Sequence, residues 1–219
     1  MAIDQTRAVE ELDIRIGARS LPGILRRPHV ASAMIVFAHG SGSSRLSPRN
    51  TKVAEALSDA GFATLLFDLL EPAEEAAQNR AKVFDIPFLG ARLVDAVKWL
   101  DETTSLSAMP IGLFGASTGA AAALVAAAQL PGRIGAVVSR GGRPDLANRA
   151  LDEVRSPTLL IVGGADYPVI DLNARAFARL ACIKKMEIVP GATHLFEERG
   201  ALEQVIALAK AWFLKYLRG

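Results

Sequence analysis

Short, mainly apolar runs recur along the chain at 33–38, 62–67, 111–114, 134–138 and 157–162, followed by a more polar strand at 185–189, and most lead into a stretch with helical periodicity. Such a run, with no polar residue at every second position, needs cover on both faces. That is the condition of a strand inside a parallel sheet. Parallel neighbours cannot be joined by a hairpin, so the intervening segments must cross over as helices packed on the two faces. The amino-terminal part is different. Residues 9–16 alternate in part (Val9, Leu12, Ile14, Ile16), Gly17-Ala18 interrupts, and 20–27 is a second extended piece, the pattern of an antiparallel hairpin at a sheet edge. The predicted fold is α/β: a mostly parallel sheet of about eight strands, helices on both faces and an antiparallel N-terminal hairpin, in a single domain over 1–219.

Helix boundaries are visible in several places. Ser47-Pro48 has the character of an N-cap and first turn, Val53, Ala54 and Leu57 mark one face, and Gly61 closes a helix that runs to Asp59. Further helices are predicted over 87–101, where Leu89, Leu93, Val97 and Leu100 share a face, over the Ala-rich 120–128, over 169–182 and over 198–217. The irregular stretch 69–85, with Glu71, Glu74 and Glu75, predicts a short solvated helix or flap at the rim of a pocket, a minimal lid.

Charge and cysteine content exclude several classes. The 25 Lys and Arg against 23 Asp and Glu are scattered instead of forming a stripe, which argues against a nucleic-acid partner. A single cysteine, Cys182, permits no internal disulfide and no CxxC motif, and its place in a helical pattern suggests a buried structural thiol. No metal or cofactor is expected. Residues 1–11 lack the build of a secretory leader, and 120–128 falls short of the roughly 20 residues that span a bilayer, so a cytoplasmic protein with no membrane contact is expected. The oligomeric state is left open.

The run 111–114 ends in Gly115-Ala116-Ser117-Thr118-Gly119 and continues as the Ala-rich helix. Strand, G-x-S-x-G, helix is the order of a nucleophile elbow, in which a sharp turn presents a serine above the sheet. Polar residues of the required kinds follow other strands: His39-Gly40-Ser41-Gly42-Ser43-Ser44, Asp166 and His194. In open α/β sheets such loops gather at the carboxyl ends of the strands. A serine hydroxyl needs an imidazole to take its proton and a carboxylate to orient that imidazole, so Ser117, His194 and Asp166 are the candidate nucleophile, base and acid, with Asp145 the fallback acid. The oxyanion requires two donors. The backbone N–H of Thr118 is one, and that of Ser41 is the expected second. His39 is read as a brace for its loop, His29 as a surface residue, and Asp68 and Asp171 as structural. His39, Gly42, Arg140 and Arg143 are candidate substrate contacts, Arg140 as the reader of an anionic ester or lactone, the alternative being that the arginines are solvated or pair with Asp145 or glutamates.

These four ordered motifs, ending in Gly191-Ala192-Thr193-His194-Leu195-Phe196, resemble the α/β-hydrolase superfamily, specifically its small dienelactone-hydrolase-like members. The resemblance runs from about Val9 to Tyr216 and implies that Ser117, Asp166 and His194 occupy the family's nucleophile, acid and base positions. Dienelactone hydrolases carry a cysteine nucleophile, whereas this elbow holds serine, so the resemblance supports fold and triad more than a lactone substrate. The expected activity is a serine hydrolase cleaving a small carboxylic ester, thioester or lactone through an acyl-enzyme, with water or another acyl acceptor. The alternative is a hydrolase-fold binding or partner module with an idle triad.

Overall fold

The computed structural model describes residues 9–76, 81–103 and 105–217. Its strands are β1 (Val9–Ile16), β2 (Leu21–Pro28), β3 (Met34–Ala38), β4 (Ala63–Phe67), β5 (Ile111–Ala116), β6 (Ile134–Arg140), β7 (Thr158–Gly163) and β8 (Lys184–Val189). They form one eight-stranded sheet in the order β1-β2-β4-β3-β5-β6-β7-β8. The hairpin β1–β2 is antiparallel and joins β4 antiparallel; every later pairing is parallel. The helices are α1 (Pro48–Asp59), α2 (Pro72–Glu75), α3 (Ile86–Glu102), α4 (Thr118–Gln129), α5 (Tyr167–Arg179) and α6 (Ala201–Tyr216).

All five residues of β3 and all five of β4 are buried, β3 as its continuous apolar run requires and β4 with its one polar residue, Thr64, hydrogen-bonded to the Ser58 hydroxyl at 3.2 Å. Alternate side chains serve opposite faces. Met34 and Val36 enter the core that contains Leu93 and Val97 of α3, Leu124 of α4 and Ala176 of α5. Ile35 and Phe37 enter the core that contains Val53 and Leu57 of α1 and Val205 and Phe213 of α6. Each such large side chain contributes about 1.5–3 kcal/mol on burial, so one slip of register would forfeit both cores at once. α1 begins where its sequence predicts: the Ser47 hydroxyl accepts from the Asn50 N–H at 3.4 Å, and Gly61 takes φ +89° just past the helix.

Successive strands leave β3 on opposite sides, first to β4 and then back across to β5. The β3/β5 boundary is therefore the switch point of the sheet, where the loops after the two strands part and leave a crevice. Both loops carry residues singled out by the sequence.

Two expectations are revised, and one segment the sequence left unread takes form. Cys182 lies beyond the end of α5 at Arg179, half-buried in the turn before β8, with its thiol donating to Thr158 Oγ1 at 3.7 Å. The acidic stretch is not simply solvated, because Glu74 is 8% exposed. It is drawn inward by Arg92 of α3, whose Nη2 lies 2.8 and 2.9 Å from its two carboxylate oxygens, and by Lys82 at 2.8 Å. The segment after β6, Pro144–Asp152, forms two short 3-10 turns that meet at a kink on Asn148 (φ +49°, ψ −123°), and it buries Ala147 and Leu151. Residues 77–80 of the predicted flap, and 1–8 of the segment read as lacking a leader, lie outside the described residues. Among the described residues no helix is long and apolar enough to cross a membrane.

Candidate active site

Ser117 stands between β5 and α4 with φ +52° and ψ −123°, a strained conformation for a residue with a side chain. Such backbone costs on the order of 1–3 kcal/mol and persists only where its surroundings enforce it. Here the enforcement is steric and polar. A Cβ on Gly115 would lie 2.4 Å from the Cα of Ala120, and one on Gly119 would lie 2.2 Å from the carbonyl oxygen of Ala38. Only glycine at both positions lets the helix start this close to β3 and β5. The Ser117 N–H donates to the Arg140 carbonyl at 3.3 Å, and the Ser117 carbonyl accepts from the N–H groups of Arg143 and Ala120 at 3.0 and 3.1 Å.

The loops after β7 and β8 bring the other two polar groups to the same edge. His194 Nδ1 lies 2.7 Å from Asp166 Oδ2, and its Nε2 lies 3.3 Å from Ser117 Oγ. A carboxylate only accepts, so Nδ1 carries the proton and Nε2 is left to accept from the serine hydroxyl. The longer contact is ordinary for a site without substrate. Asp166 stands at the amino end of α5, its side chain 13% exposed. Asp145, the fallback acid, instead holds Arg143 in a bidentate pair at 2.9 and 2.8 Å.

On the β3 side the loop is clamped twice. His39 is buried; its Nε2 accepts from the Leu69 N–H at 3.1 Å, which leaves Nδ1–H to donate to the Gly40 carbonyl at 3.0 Å. Burial lowers the His39 pKa, a tendency partly opposed by that carbonyl and by the charges of Asp68 and Glu75, so the ring is neutral as the two bonds require. Asp68, at the end of β4, takes the Arg45 N–H at 2.7 Å and the Arg45 guanidinium at 2.5 Å. Gly40 approaches the nucleophile closely enough that a Cβ there would lie 3.0 Å from Ser117 Cβ. Gly42 takes φ +71° and lines, with His39, Gly40, Leu69, Glu75 and Val83, a small crevice beside the serine. Of the 69–85 stretch, Leu69, Glu75 and Val83 line this crevice, Leu69 and Val83 as buried core residues. A wider depression lies elsewhere, at the amino ends of β3 and β5 among Val9, Arg27, His29 and Met109.

Three contacts differ from the sequence expectation. The Ser41 N–H, read as an open oxyanion donor, is engaged: it donates to Thr118 Oγ1 at 2.8 Å. Arg140 does not stand free toward a substrate. It is 5% exposed, bonded through Nη2 to Asn50 Oδ1 at 3.0 Å, and near Phe196 of the histidine loop. Burial and the nearby Arg49 charge lower its pKa to about 10. Arg143 is committed to Asp145. The partner of Arg140 lies 90 residues away and could not be read from chain position, whereas Arg143 pairs with Asp145 two residues on, the alternative its sequence offered. Asn50 carried no chemical signal; Asp68, at a strand end, did.

Known proteins agree with this architecture. A model of the alpha/beta hydrolase fold matches residues 33–188. A Mycobacterium tuberculosis (strain H37Rv) protein named "Putative phosphoribosyl transferase" is 54% identical over 218 residues, covering 100% of this chain and 49% of its own length. The chain therefore spans about half the length of the curated relatives it matches. The crystal structure of a dienelactone hydrolase from Anabaena variabilis superposes with a TM-score of 0.92 at 51% identity, covering 97% of this chain and 100% of the other. The esterase domain of a Rhodothermus marinus protein superposes at 0.73 with 20% identity, over 96% of this chain and 99% of the other, a likeness of fold. With a fold-family model matching residues 33–188 and a 51% identical dienelactone hydrolase superposing over 97% of this chain, the chain belongs to the α/β-hydrolase fold family and, within it, to the dienelactone-hydrolase-like proteins.

Proposed function

We propose that the chain is a serine hydrolase that cleaves a small carboxylic ester, thioester or lactone through an acyl-enzyme on Ser117. The observation that carries this reading is the continuous relay from Asp166 through His194 to the strained Ser117, at 2.7 and 3.3 Å. His194 Nε2 takes the hydroxyl proton as Ser117 Oγ bonds to the carbonyl carbon, and Asp166 stabilises the imidazolium. On collapse, the bond from that carbon to the leaving alcohol, thiol or ring oxygen breaks, and the leaving atom takes the proton from Nε2. Water then attacks the acyl-enzyme in the same two steps and regenerates the serine. The open edge suits a small acyl group: Leu46, Tyr167 and Leu195 are exposed around it, and no long lid is present among the described residues. With Arg140 and Arg143 committed elsewhere, the anionic substrate once suggested by their positions loses its support.

The test is labelling with a fluorophosphonate probe and mass spectrometry, together with turnover of short p-nitrophenyl esters. An adduct on Ser117, absent in Ser117→Ala and weakened in His194→Ala, is the expected result. Absence of both adduct and turnover would overturn the reading and leave the binding-module alternative. A second reading comes from the name of the mycobacterial relative, which belongs to a chain about twice as long. Phosphoribosyl transfer that persists in Ser117→Ala would establish it as separate from the triad.

A further inference from the structure

We propose that Thr118 supplies both donors of the oxyanion hole: its backbone N–H, and its side-chain hydroxyl held in place by the Ser41 N–H. The inference rests on Ser117 being the nucleophile and deepens that reading.

The argument starts from what each group has left to give. Thr118 opens α4, so its N–H is one of the donors that a helix start leaves without an intrahelical partner. Its hydroxyl accepts from the Ser41 N–H at 2.8 Å, a bond made across 77 residues of chain, and Thr118 is 6% exposed. A hydroxyl accepts and donates at once. The accepting side is taken, yet among the described residues Thr118 Oγ1 donates to no group. Its hydrogen is unspent, on the residue next to the nucleophile.

The same bond removes Ser41 as a direct donor, because its single N–H is used. Its role becomes indirect: it fixes the rotamer of Thr118 and, by withdrawing density from Oγ1, makes the hydroxyl hydrogen a stronger donor. As Ser117 Oγ bonds to the acyl carbon, negative charge collects on the former carbonyl oxygen, and the Thr118 N–H and O–H converge on it. No proton is transferred at Thr118, and its O–H bond stays intact throughout. The Gly40 backbone lies so close to the nucleophile that a Cβ there would sit 3.0 Å from Ser117 Cβ, so this loop cannot carry a side chain at that position without crowding the serine.

A structural role would predict something else. If Thr118 only tied the loop to α4, removing its hydroxyl would free the Ser41 N–H to serve the oxyanion directly, and the chemistry would hold or improve. The two accounts separate in Thr118→Ser, Thr118→Ala and Thr118→Val, compared by steady-state kinetics on p-nitrophenyl acetate and by binding of a trifluoromethyl ketone, which forms a tetrahedral adduct with an oxyanion. Loss of one oxyanion donor lowers turnover by roughly 100-fold or more. Thr118→Val and Thr118→Ala are expected to lose kcat on that scale with little change in KM, and to weaken the ketone in parallel. Thr118→Ser should stay near wild type. Ser and Ala leave the same space at Cγ2, so their contrast isolates the hydroxyl even where Val packs badly. Equal activity of Thr118→Ser and Thr118→Ala, or a Thr118→Val enzyme as fast as wild type, would overturn the proposal while leaving Ser117 as nucleophile. Failure of the wild type to label at Ser117 would remove the nucleophile reading itself, and this inference with it.

Discussion

Two guanidiniums are withdrawn from water on opposite sides of the sheet, and the molecule treats them differently. Arg92, 2% exposed in α3, meets both oxygens of Glu74 and has its guanidinium carbon 4.7 Å from the centre of the Phe88 ring. Arg140, 5% exposed at the end of β6, meets the neutral amide of Asn50 and has Arg49, a second cation, as neighbour. The consequences run in opposite directions. For Glu74, burial pushes the carboxyl up, but the bonds from Lys82 and the Glu71 N–H and the charge of Arg92 outweigh it and hold the group below its usual range. For Arg140, nothing of opposite sign offsets burial, and its proton affinity falls. A paired buried charge fastens one segment to another; an unpaired one is merely tolerated for the position it holds.

That contrast can be broken most sharply at Glu74. Glu74→Ala leaves the Arg92 charge with only Glu71 Oε1 at 3.9 Å and is expected to cost about 3 kcal/mol, read as a lowered urea midpoint. The double variant Glu74→Leu with Arg92→Met should recover most of that loss, since an apolar pair of similar volume avoids the desolvation of both charges. A double variant no better than the single would mean that the ion pair is needed for more than neutralising Arg92.

A smaller effect is expected at His39, where the segment held by Arg92 meets the loop after β3. His39→Gln keeps an acceptor for the Leu69 N–H and loses the bond to Gly40, at a cost of about 1 kcal/mol. Its pH dependence carries a definite sign. The folded-state pKa of His39 is lowered, so below about pH 6.5 the unfolded chain binds the proton first. The stabilisation is therefore complete above that pH and is lost as pH falls toward the folded-state value. Thermal midpoints of wild type should decline over that interval more steeply than those of His39→Gln, and parallel profiles would contradict the bonding assigned to the ring. Glu74 gives the acid-side counterpart. Its lowered pKa means a contribution present above about pH 4.3 and lost as pH falls below it.

The smallest change is expected at Arg140. Arg140→Met removes an uncompensated charge together with one bond to Asn50, and the two should nearly cancel, leaving stability within about 1 kcal/mol of wild type. A loss as large as that of Glu74→Ala would collapse the distinction between the two arginines.

The parts legible in the sequence are those set by local chemistry. Residues 33–38 contain no polar position, so they could only be a covered strand, and β3 is that strand. Ser47-Pro48 carries its own capping chemistry, so the start of α1 could be placed without a partner. The elbow was legible because a serine at φ +52° needs small residues on either side, and Gly115 and Gly119 stand there. Cys182 was misplaced because its periodicity continued past Arg179, while the chain had to turn to enter β8. The solvated reading of Glu74 failed because its burial depends on an arginine 18 residues ahead on a helix that had first to be packed.

From the sequence alone followed the order of strands and helices, the hairpin at one edge, and a serine, an acid and a histidine each placed just beyond a strand. Those follow from apolar periodicity and turn chemistry, which act over a few residues. Only the tertiary structure decided that the Ser41 N–H is spent on the Thr118 hydroxyl, that Arg140 faces Asn50, and that Asp166 and not Asp145 meets His194. Each is a hydrogen bond of about 3 Å between groups 28 to 90 residues apart in the chain. Contacts of that kind have no local period to read: they exist because the sheet places β3 beside β5 and β7 beside β8, and hydrogen-bond geometry then selects which of the neighbouring polar groups pair.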